Sequence, residues 1–376
     1  MTGRTQPQSK PTIVTVSDRT YLPAACCQLV STAQHLPHAD AADLTLVLCD
    51  VDKADVEHAR RFFQARTLPV RVIEVDFADE IFTINSRWTR AAYLRLYFDR
   101  LFDERVGRLI YLDADTRVRA PLAPLLSTDL RGRPAAAVHD FIYYVTGHIY
   151  RRRRDLMLGQ DGPYLQSGVM VFDWPQMLAQ DYLGAARRFL ETHPDRCYEA
   201  PDQDALNHAL HGHWTPLDPR WNLHEFYLLF GGRRKAFIEH YTSTKPWSQN
   251  RQPGWRHAAR WYRDLLADTP WADFVEPQSL AQAFSVAQKF HRSRISPRRK
   301  LKENVPFLLD AIGIDHSTWD QDVSWFPRSS RDINTMVDAM IEEAAGRRNL
   351  LSAPEAVLTP PMRDPRHQGL SPVPVT

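Results

Sequence analysis

The chain has 376 residues, of which 43% are hydrophobic and 24% are charged, so it can bury a sizeable core and is not a disordered protein. Its 47 basic and 45 acidic residues give a formal net charge of +2, a balance that does not favour nucleic-acid binding. The first ten residues hold no apolar signal-peptide core, and no apolar run reaches the roughly 18 residues of a membrane-spanning helix. Four cysteines without a CxxC pair fit a reducing compartment, and we expect a cytoplasmic location.

The first half of the chain alternates β-branched apolar runs with stretches of helical spacing. The predicted strands are 12–18, 44–50, 70–75, 108–115 and 134–140, and the predicted helices are 21–36, 53–65 and 88–102. This alternation predicts an α/β fold, a doubly wound and mostly parallel sheet. Ligands of such sheets bind beyond the carboxyl ends of the strands. Since Asp18, Asp50, Asp113 and Asp140 all follow predicted strands, we expect the site at that edge.

The second half divides into fewer elements. We predict a strand within 164–174, a single helix over about 175–192, a helix over 201–210, a strand within 237–247 and a helix over 255–266. The predicted organisation is a flexible arm at 1–10, a main domain at 11–250, a helical C-terminal extension at 251–350 and a Pro-rich tail at 351–376.

The stretch "RLIYLDADTRVRAPL" (108–122) ends a predicted strand in two carboxylates, Asp113 and Asp115. Carboxylates that converge repel one another, and a hard divalent cation such as Mn²⁺ or Mg²⁺ relieves the repulsion while keeping positions open for phosphate oxygens. A surface turn balanced by Arg117 and Arg119 is the alternative. Another DxD pair, Asp50/Asp52, also follows a strand; we interpret it as the negatively charged start of the next helix.

A third ligand is predicted within "IEHYTSTKPW". His240 ends an apolar run, and Lys245 follows five residues later. Imidazole suits Mn²⁺, and a lysine ammonium can meet a diphosphate as a point charge. The predicted metal site is therefore Asp113, Asp115 and His240.

Several segments, in their order and spacing, resemble glycosyltransferase family 8, whose members are retaining GT-A enzymes that use nucleotide-diphosphate sugars. The segments are "IVTVSDRTY", "AAYLRLYF", "RLIYLDADTRVRAPLAPL", "YLQSGVMVFD", "PDQDALN" and "HYTSTKPW", within about residues 12–247. The resemblance implies a GT-A (Rossmann-like, doubly wound) fold with a helical C-terminal extension. It also implies a hexosyltransferase that moves glucose or galactose from a UDP-sugar to a saccharide or glycolipid acceptor with Mn²⁺ or Mg²⁺.

The resemblance implies a role for each matching residue of the donor site. Asp18 and Tyr21 would hold the uracil ring, Arg95 would lie against the diphosphate or sugar, and Lys245 would offset charge on the departing diphosphate. The same donor site would include Ala114, Gln166 and Ser167, next to the metal ligands.

At the sugar end of the site, the resemblance implies that Asp140 accepts hydrogen bonds from sugar hydroxyls. Asp202 and Gln203 would face the anomeric carbon. We interpret Gln203 as an electrostatic stabiliser because an amide oxygen is a poor nucleophile, and Asp204 remains open as the nucleophile of a double displacement. A purely helix-stabilising role for the two acids is the alternative.

Two other functions stay open, and so does membrane contact. A glycogenin-like enzyme that glycosylates protein is one, and a catalytically weak nucleotide-sugar-binding protein, suggested by the short "HYTSTKPW" loop, is the other. The basic segment 291–302 fits either peripheral contact with the inner face of the membrane or plain solvation.

Overall fold

A computed structural model of the chain describes residues 10–84, 88–146, 149–224, 227, 232–295 and 330–347. The strands are β1 (Thr12–Ser17), β2 (Asp43–Leu48), β3 (Val70–Glu74), β4 (Arg108–Leu112), β5 (Thr116–Val118), β6 (Ala135–His139), β7 (Leu165–Asp173), β8 (Trp214–Pro216), β9 (Leu223–His224) and β10 (Ile238–His240). The helices are α1 (Leu22–Gln34), α2 (Lys53–Gln64), α3 (Arg90–Tyr93), α4 (Ala123–Leu126), α5 (Phe141–Thr146), α6 (Ile149–Asp155), α7 (Trp174–Ala179), α8 (Tyr182–Thr192), α9 (Pro201–Ala209), α10 (Arg256–Leu266), α11 (Leu280–Ile295) and α12 (Ser330–Ala344).

The central sheet has seven strands in the order β3-β2-β1-β4-β7-β6-β8. Every neighbouring pair is parallel except those of β7, which runs antiparallel to both β4 and β6. The predicted α/β class and mostly parallel sheet are confirmed.

A second, three-stranded sheet has the order β5-β10-β9. Strand β10 was predicted as the strand within 237–247, whereas the short strands β5 and β9 were not separated in the sequence. This small sheet determines where the site lies. Strand β5 begins directly after Asp115, and in its antiparallel pairing with β10 residue His240 lies opposite Thr116. The pairing therefore brings the imidazole beside the two aspartates.

The central sheet is covered on both faces, which explains its near-continuous apolar strands. In β4, Leu109 and Tyr111 pack into the core cluster on one face, while Ile110 and Leu112 pack into the cluster on the other. All four cysteines are buried and none forms a disulfide. A strand held from both faces gives Asp113 and Asp115 a rigid support.

Two helix predictions were wrong in detail. The single helix expected over 175–192 is two helices, α7 and α8, because the chain breaks at Asp181, which adopts a left-handed conformation with φ of 51°. The helix expected over 88–102 starts as the single α-helical turn α3 and continues as the 3-10 helix Leu94–Arg100, in which Tyr97 departs from helical geometry. Both differences are local breaks that an apolar periodicity does not report.

In the described part of the region after residue 250, the regular elements are the helices α10, α11 and α12 and two short 3-10 helices, joined by turns and irregular chain. Helix α10 packs against α1, its Tyr262 and Ala259 belong to the core cluster on that side of the sheet, and Trp255 just before it is 2% exposed. The basic segment 291–302 lies outside the residues whose side chains are described. Within the described ranges, no helix has the length and apolar character needed to cross a bilayer.

Candidate active site

The two carboxylates after β4 and the imidazole that ends β10 converge. Ligand atoms of Asp113, Asp115 and His240 all lie within 4.8 Å of one another, and in the part of the chain that the structure describes this is the one cluster of that kind. The His240 Nε2 atom lies 3.2 Å from Asp115 Oδ1 and 3.5 Å from Asp113 Oδ2. Two carboxylate oxygens and one imidazole nitrogen form a donor set that suits Mn²⁺ or Mg²⁺.

The imidazole is oriented by a residue that was not predicted from the sequence. His240 Nδ1 lies 2.7 Å from Asn222 Oδ1, so an Nδ1–H donates there and Nε2 faces the carboxylates. The Asn222 amide is itself fixed, because its Nδ2 donates to Gln166 Oε1, which also accepts from the Gly168 backbone N–H at 2.7 Å. Gln166 thus sets the orientation of the third ligand.

Gly168 makes this close approach possible. A Cβ atom at this position would lie 2.3 Å from His240 Cε1 and 2.7 Å from Asp113 Oδ2, both too close for real atoms. The Gly168 carbonyl also accepts the Asp113 backbone N–H at 2.8 Å. The glycine in "QSG" is therefore required by the metal-ligand cluster.

Lys245 lies on the outer side of the cluster. Its Nζ donates to Asp115 Oδ2 at 2.6 Å and to the Tyr241 carbonyl at 2.6 Å. Burial opposes ionisation of Asp115, but Lys245 and His240 outweigh it and hold the pKa of Asp115 below its ordinary value. Asp115 is therefore an anion ready to hold a cation.

Arg95 joins the metal ligands to the first turn of α9. Its guanidinium donates to Asp113 Oδ1 at 2.8 Å and lies 3.0 Å from Asp202 Oδ2, and it also contacts Ser167 through the carbonyl and the hydroxyl, both at 3.0 Å. Burial opposes its charge, yet Asp113 and the other acidic neighbours raise the pKa of Arg95. Arg95 is thus a fixed cation between Asp113 and Asp202, and its contact with a diphosphate or sugar stays a prediction.

Gln203 lies at the centre of a buried network beside the metal ligands. Its Oε1 accepts from the Ser167 backbone N–H at 2.9 Å, and its Nε2 donates to Asp140 Oδ2 at 3.0 Å and to the Tyr164 hydroxyl at 3.1 Å. Burial raises the pKa of Asp140 to about 7, although the hydrogen bond from Gln203 opposes the shift. Gln203 and Asp140 are thus held together at the inner end of the site.

Asp204 is bonded to Arg152 of α6 and shares the Tyr164 hydroxyl with Gln203. Its carboxylate accepts from Tyr164 Oη at 2.7 Å and from Arg152 Nη1 at 3.1 Å, and both charged residues are almost completely buried. Burial raises the pKa of Asp204 to about 6, against the effect of Arg152. Arg152 belongs to the run of four arginines at 151–154, within α6, and is buried. Arg152 therefore forms a buried ion pair with Asp204, the residue that the sequence analysis kept as the alternative nucleophile.

The residues predicted for the nucleoside lie at the end of β1. Asp18 Oδ1 accepts the Tyr21 backbone N–H at 3.1 Å, and the Tyr21 ring packs edge-on against Trp247. Lys245 Nζ lies 5.6 Å from the centre of the Tyr21 ring. Tyr21 is thereby next to the metal ligands, while the uracil contact stays a prediction.

The rival pair Asp50/Asp52 is a helix start, as we interpreted it. Asp52 is the N-cap of α2 and accepts the Asp55 backbone N–H at 2.9 Å. Asp50 pairs with Arg90 on the surface. The structure thus separates two DxD pairs that look alike in the sequence.

Three residues of this site were missed by sequence reasoning: Asn222, Tyr164 and Arg152. Asn222 lies in the 3-10 helix Pro219–Asn222, and Tyr164 precedes "LQSG". No spacing pattern links either of them to its partner, since the contacts are made between distant segments. Ala114, between the two ligands, is buried in the core.

Sequence comparison identifies the family. The model of "Glycosyl transferase family 8" matches residues 12–251, so the chain belongs to this family of glycosyltransferases. General stress protein A of Bacillus subtilis (strain 168) is 28% identical over 56% of this chain and 77% of its own length. A lipopolysaccharide 1,2-glucosyltransferase of Escherichia coli (strain K12) is 28% identical over 50% of this chain and 56% of its own length, so the match spans about half of that enzyme.

Solved structures show the same fold at low sequence identity. The galactosyltransferase LgtC, in complex with donor and acceptor sugar analogues, is 20% identical with a TM-score of 0.60, over 70% of this chain and 99% of that one. The bifunctional glycosyltransferase WbbM is 21% identical with a TM-score of 0.59, over 73% of this chain and 53% of that one. These similarities confirm the GT-A fold.

Proposed function

We propose that the protein is a retaining, divalent-metal-dependent hexosyltransferase. It would move glucose or galactose from a UDP-sugar to a saccharide or glycolipid acceptor. The observation that carries this proposal is the convergence of Asp113, Asp115 and His240, with Arg95 and Lys245 bonded to the same carboxylates. When bound by the three ligands, Mn²⁺ or Mg²⁺ would act as a Lewis acid toward the diphosphate.

The protein's own cations would stabilise the departing nucleotide. A nucleotide-sugar is already activated, so the main task is to stabilise charge that grows on the diphosphate as the glycosidic bond breaks. Lys245 and Arg95 lie on two sides of the ligand cluster, within 2.8 Å of Asp115 and Asp113 respectively. Because they are fixed before the reaction, their attraction for the diphosphate strengthens toward the transition state.

The buried network would hold the sugar. Asp140 would accept hydrogen bonds from sugar hydroxyls, and Asp202, next to Arg95, would face the reacting end. The Gln203 amide is pinned by Ser167 on one side and Asp140 on the other, which supports an orienting and electrostatic role near the anomeric carbon. Retention would then follow from attack of the acceptor on the leaving-group face.

The Asp204 alternative is weaker on geometry. A nucleophile needs a carboxylate oxygen free to approach the anomeric carbon, and both Asp204 oxygens are bonded, to Tyr164 and to Arg152. We therefore propose Gln203 and not Asp204 as the group that faces the sugar.

The acceptor and the location are proposals by analogy. The name of the Escherichia coli relative gives it a lipopolysaccharide substrate, which supports a saccharide or glycolipid acceptor here. A cytoplasmic enzyme that touches the inner face of the membrane through 291–302 would meet such an acceptor. Binding to anionic liposomes at low salt that disappears at high salt would support this contact, and absence of binding at low salt would contradict it.

A donor screen tests the proposal. We expect hydrolysis of UDP-glucose or UDP-galactose with Mn²⁺, little hydrolysis of GDP- or TDP-sugars, and loss of activity with a chelator. The anomeric configuration of the first product, followed by NMR, tests retention. No hydrolysis of any nucleotide-sugar would contradict the proposal, and stabilisation by donor without turnover would favour a binding protein. A mass increase of the protein on incubation with donor alone would favour the glycogenin-like alternative.

A further inference from the structure

Helix α12 lies beyond the family match, which ends at residue 251, yet it is part of the main core. Its buried apolar residues recur on one helical face and join the cluster that covers β6 and β7; they are Ile333, Met336, Val337, Ala339 and Met340. The helix contacts β8 and the 3-10 helix that carries Asn222. A segment outside the family domain is therefore packed next to the candidate active site.

The first polar anchor of α12 is Glu343. Its Oε2 lies 2.7 Å from Nε2 of His139, and His139 Nδ1 lies 2.9 Å from the Tyr144 hydroxyl, which accepts the Tyr164 backbone N–H at 3.0 Å. The donors and acceptors match if His139 Nε2–H donates to the carboxylate and Tyr144 donates to Nδ1. The anchor thus fixes the residue that directly precedes Asp140.

The second polar anchor is Asn334. Its Oδ1 lies 3.2 Å from the Tyr227 hydroxyl and accepts the Arg233 backbone N–H at 3.1 Å. The Tyr227 ring packs edge-on against Phe141 with ring centres 5.9 Å apart. Phe141 is the residue that directly follows Asp140, so α12 holds the chain on both sides of this carboxylate.

We propose that α12 is a positioning element for the sugar end of the active site. In this assignment, which rests on the proposed function, Glu343 and Asn334 are positioning residues that hold Asp140 through His139 and Phe141. Burying a carboxylate is costly, and an apolar residue at 343 would serve simple helix docking better. The buried Glu343–His139 pair therefore points to a geometric role and not merely to adhesion.

The helix offers its own matched control. Glu342 is the neighbour of Glu343, but its side chain is 45% exposed and pairs with Arg347 at the helix end. The same substitution at the two positions removes one carboxylate from the interior and one from the surface of the same helix turn.

The test uses the full-length protein and separates sugar from nucleotide recognition. Affinities for UDP and for UDP-glucose, each with Mn²⁺, are measured by calorimetry, and kcat is measured for donor hydrolysis. We expect Glu343→Leu to lower kcat about tenfold or more and to reduce the extra affinity given by the sugar, with UDP affinity unchanged within about twofold. Glu343→Gln, which keeps an acceptor for His139, and Glu342→Leu should both stay within about threefold of wild type.

A second variant tests the inference even if substitution at position 343 prevents folding. Asn334→Ala removes the other anchor without changing the apolar face of α12, and we expect a smaller fall in kcat, about threefold to tenfold, again with unchanged UDP affinity. The inference is overturned if Glu343→Leu and Asn334→Ala match wild type, or if UDP affinity and kcat fall together with the folded fraction. Wild-type protein that binds neither UDP nor UDP-glucose would overturn the proposed function itself, and this inference with it.

Discussion

The two ends of the candidate site differ in charge and in burial. At the metal-ligand end, Asp115 is paired with Lys245 and has a pKa below its ordinary value, so it carries negative charge. At the sugar end, Asp140 accepts hydrogen bonds from two uncharged groups, the Gln203 amide and the Ile142 backbone N–H, and burial raises its pKa to about 7. Under the proposed function, the first end would meet a cation and a diphosphate, and the second would exchange hydrogen bonds with neutral hydroxyl groups.

Arg95 is the link between the two ends, since it contacts both Asp113 and Asp202. Strand β4 and the small sheet position the metal-ligand end. Strand β7, α9 and the chain around β6 position the sugar end. One edge of the sheet can therefore hold two different electrostatic environments side by side, because different elements supply their side chains.

The largest expected effect is at the metal-ligand end. Asp115→Asn should lower kcat for donor hydrolysis by ~10³-fold or more and weaken Mn²⁺ binding, because it removes an anionic ligand and the partner of Lys245. The loss is measured by steady-state kinetics and by Mn²⁺ titration. The matched control is Asp52→Asn in the other DxD pair, where asparagine still caps α2, and it should leave both values unchanged. Equal effects of the two variants would contradict the assignment of the metal site.

The second prediction distinguishes a structural role of Asp204 from a catalytic role. Asp204→Asn should destabilise the fold by about 3 kcal/mol, because Arg152 loses a buried ionic partner, while kcat of the folded protein falls much less. Urea unfolding and kinetics on the same sample give both quantities. The control Asp181→Asn affects an exposed pair with Arg188 and should cost less than about 0.5 kcal/mol. A complete loss of turnover in stable Asp204→Asn protein would instead support Asp204 as the nucleophile.

A smaller effect is expected for the Gln203 amide at the centre of the sugar end. Gln203→Ala should lower kcat by about 10²-fold, since it removes the group that joins Ser167 to Asp140, and should leave UDP affinity nearly unchanged. Kinetics with UDP-glucose and calorimetry with UDP measure the two. Donor hydrolysis near the wild-type rate would remove Gln203 from the proposed mechanism.

The smallest effect is on stability as a function of pH. Because the pKa of Asp140 is raised to about 7 in the fold, the native state keeps this proton after the unfolded chain has lost it. The unfolded state then binds fewer protons, so stability falls as pH rises from about 4 to about 7. Asp140→Asn should remove part of this fall, about 1–2 kcal/mol, and lower activity. Unfolding curves at several pH values check the slope, and identical slopes for both proteins would contradict the raised pKa.

The fold class and the three converging residues Asp113, Asp115 and His240 could be predicted from the amino-acid sequence. Apolar strands alternating with helices have only a few ways to pack, and an acid after a buried strand must lie at the carboxyl edge of the sheet. That is why Asp113 and Asp140 could be placed from local patterns, and why the order of weak motifs was enough to indicate the family.

Which of these segments come into contact could be seen only in the three-dimensional structure. The pairing of β5 with β10, the Asn222 contact that aims His240 and the Arg152–Asp204 pair all join segments far apart in the chain. Such contacts depend on long-range packing, and the local periodicity of a sequence carries no information about that packing. For the same reason no role for α12 could be predicted, although its Glu343 contacts His139, the residue beside Asp140.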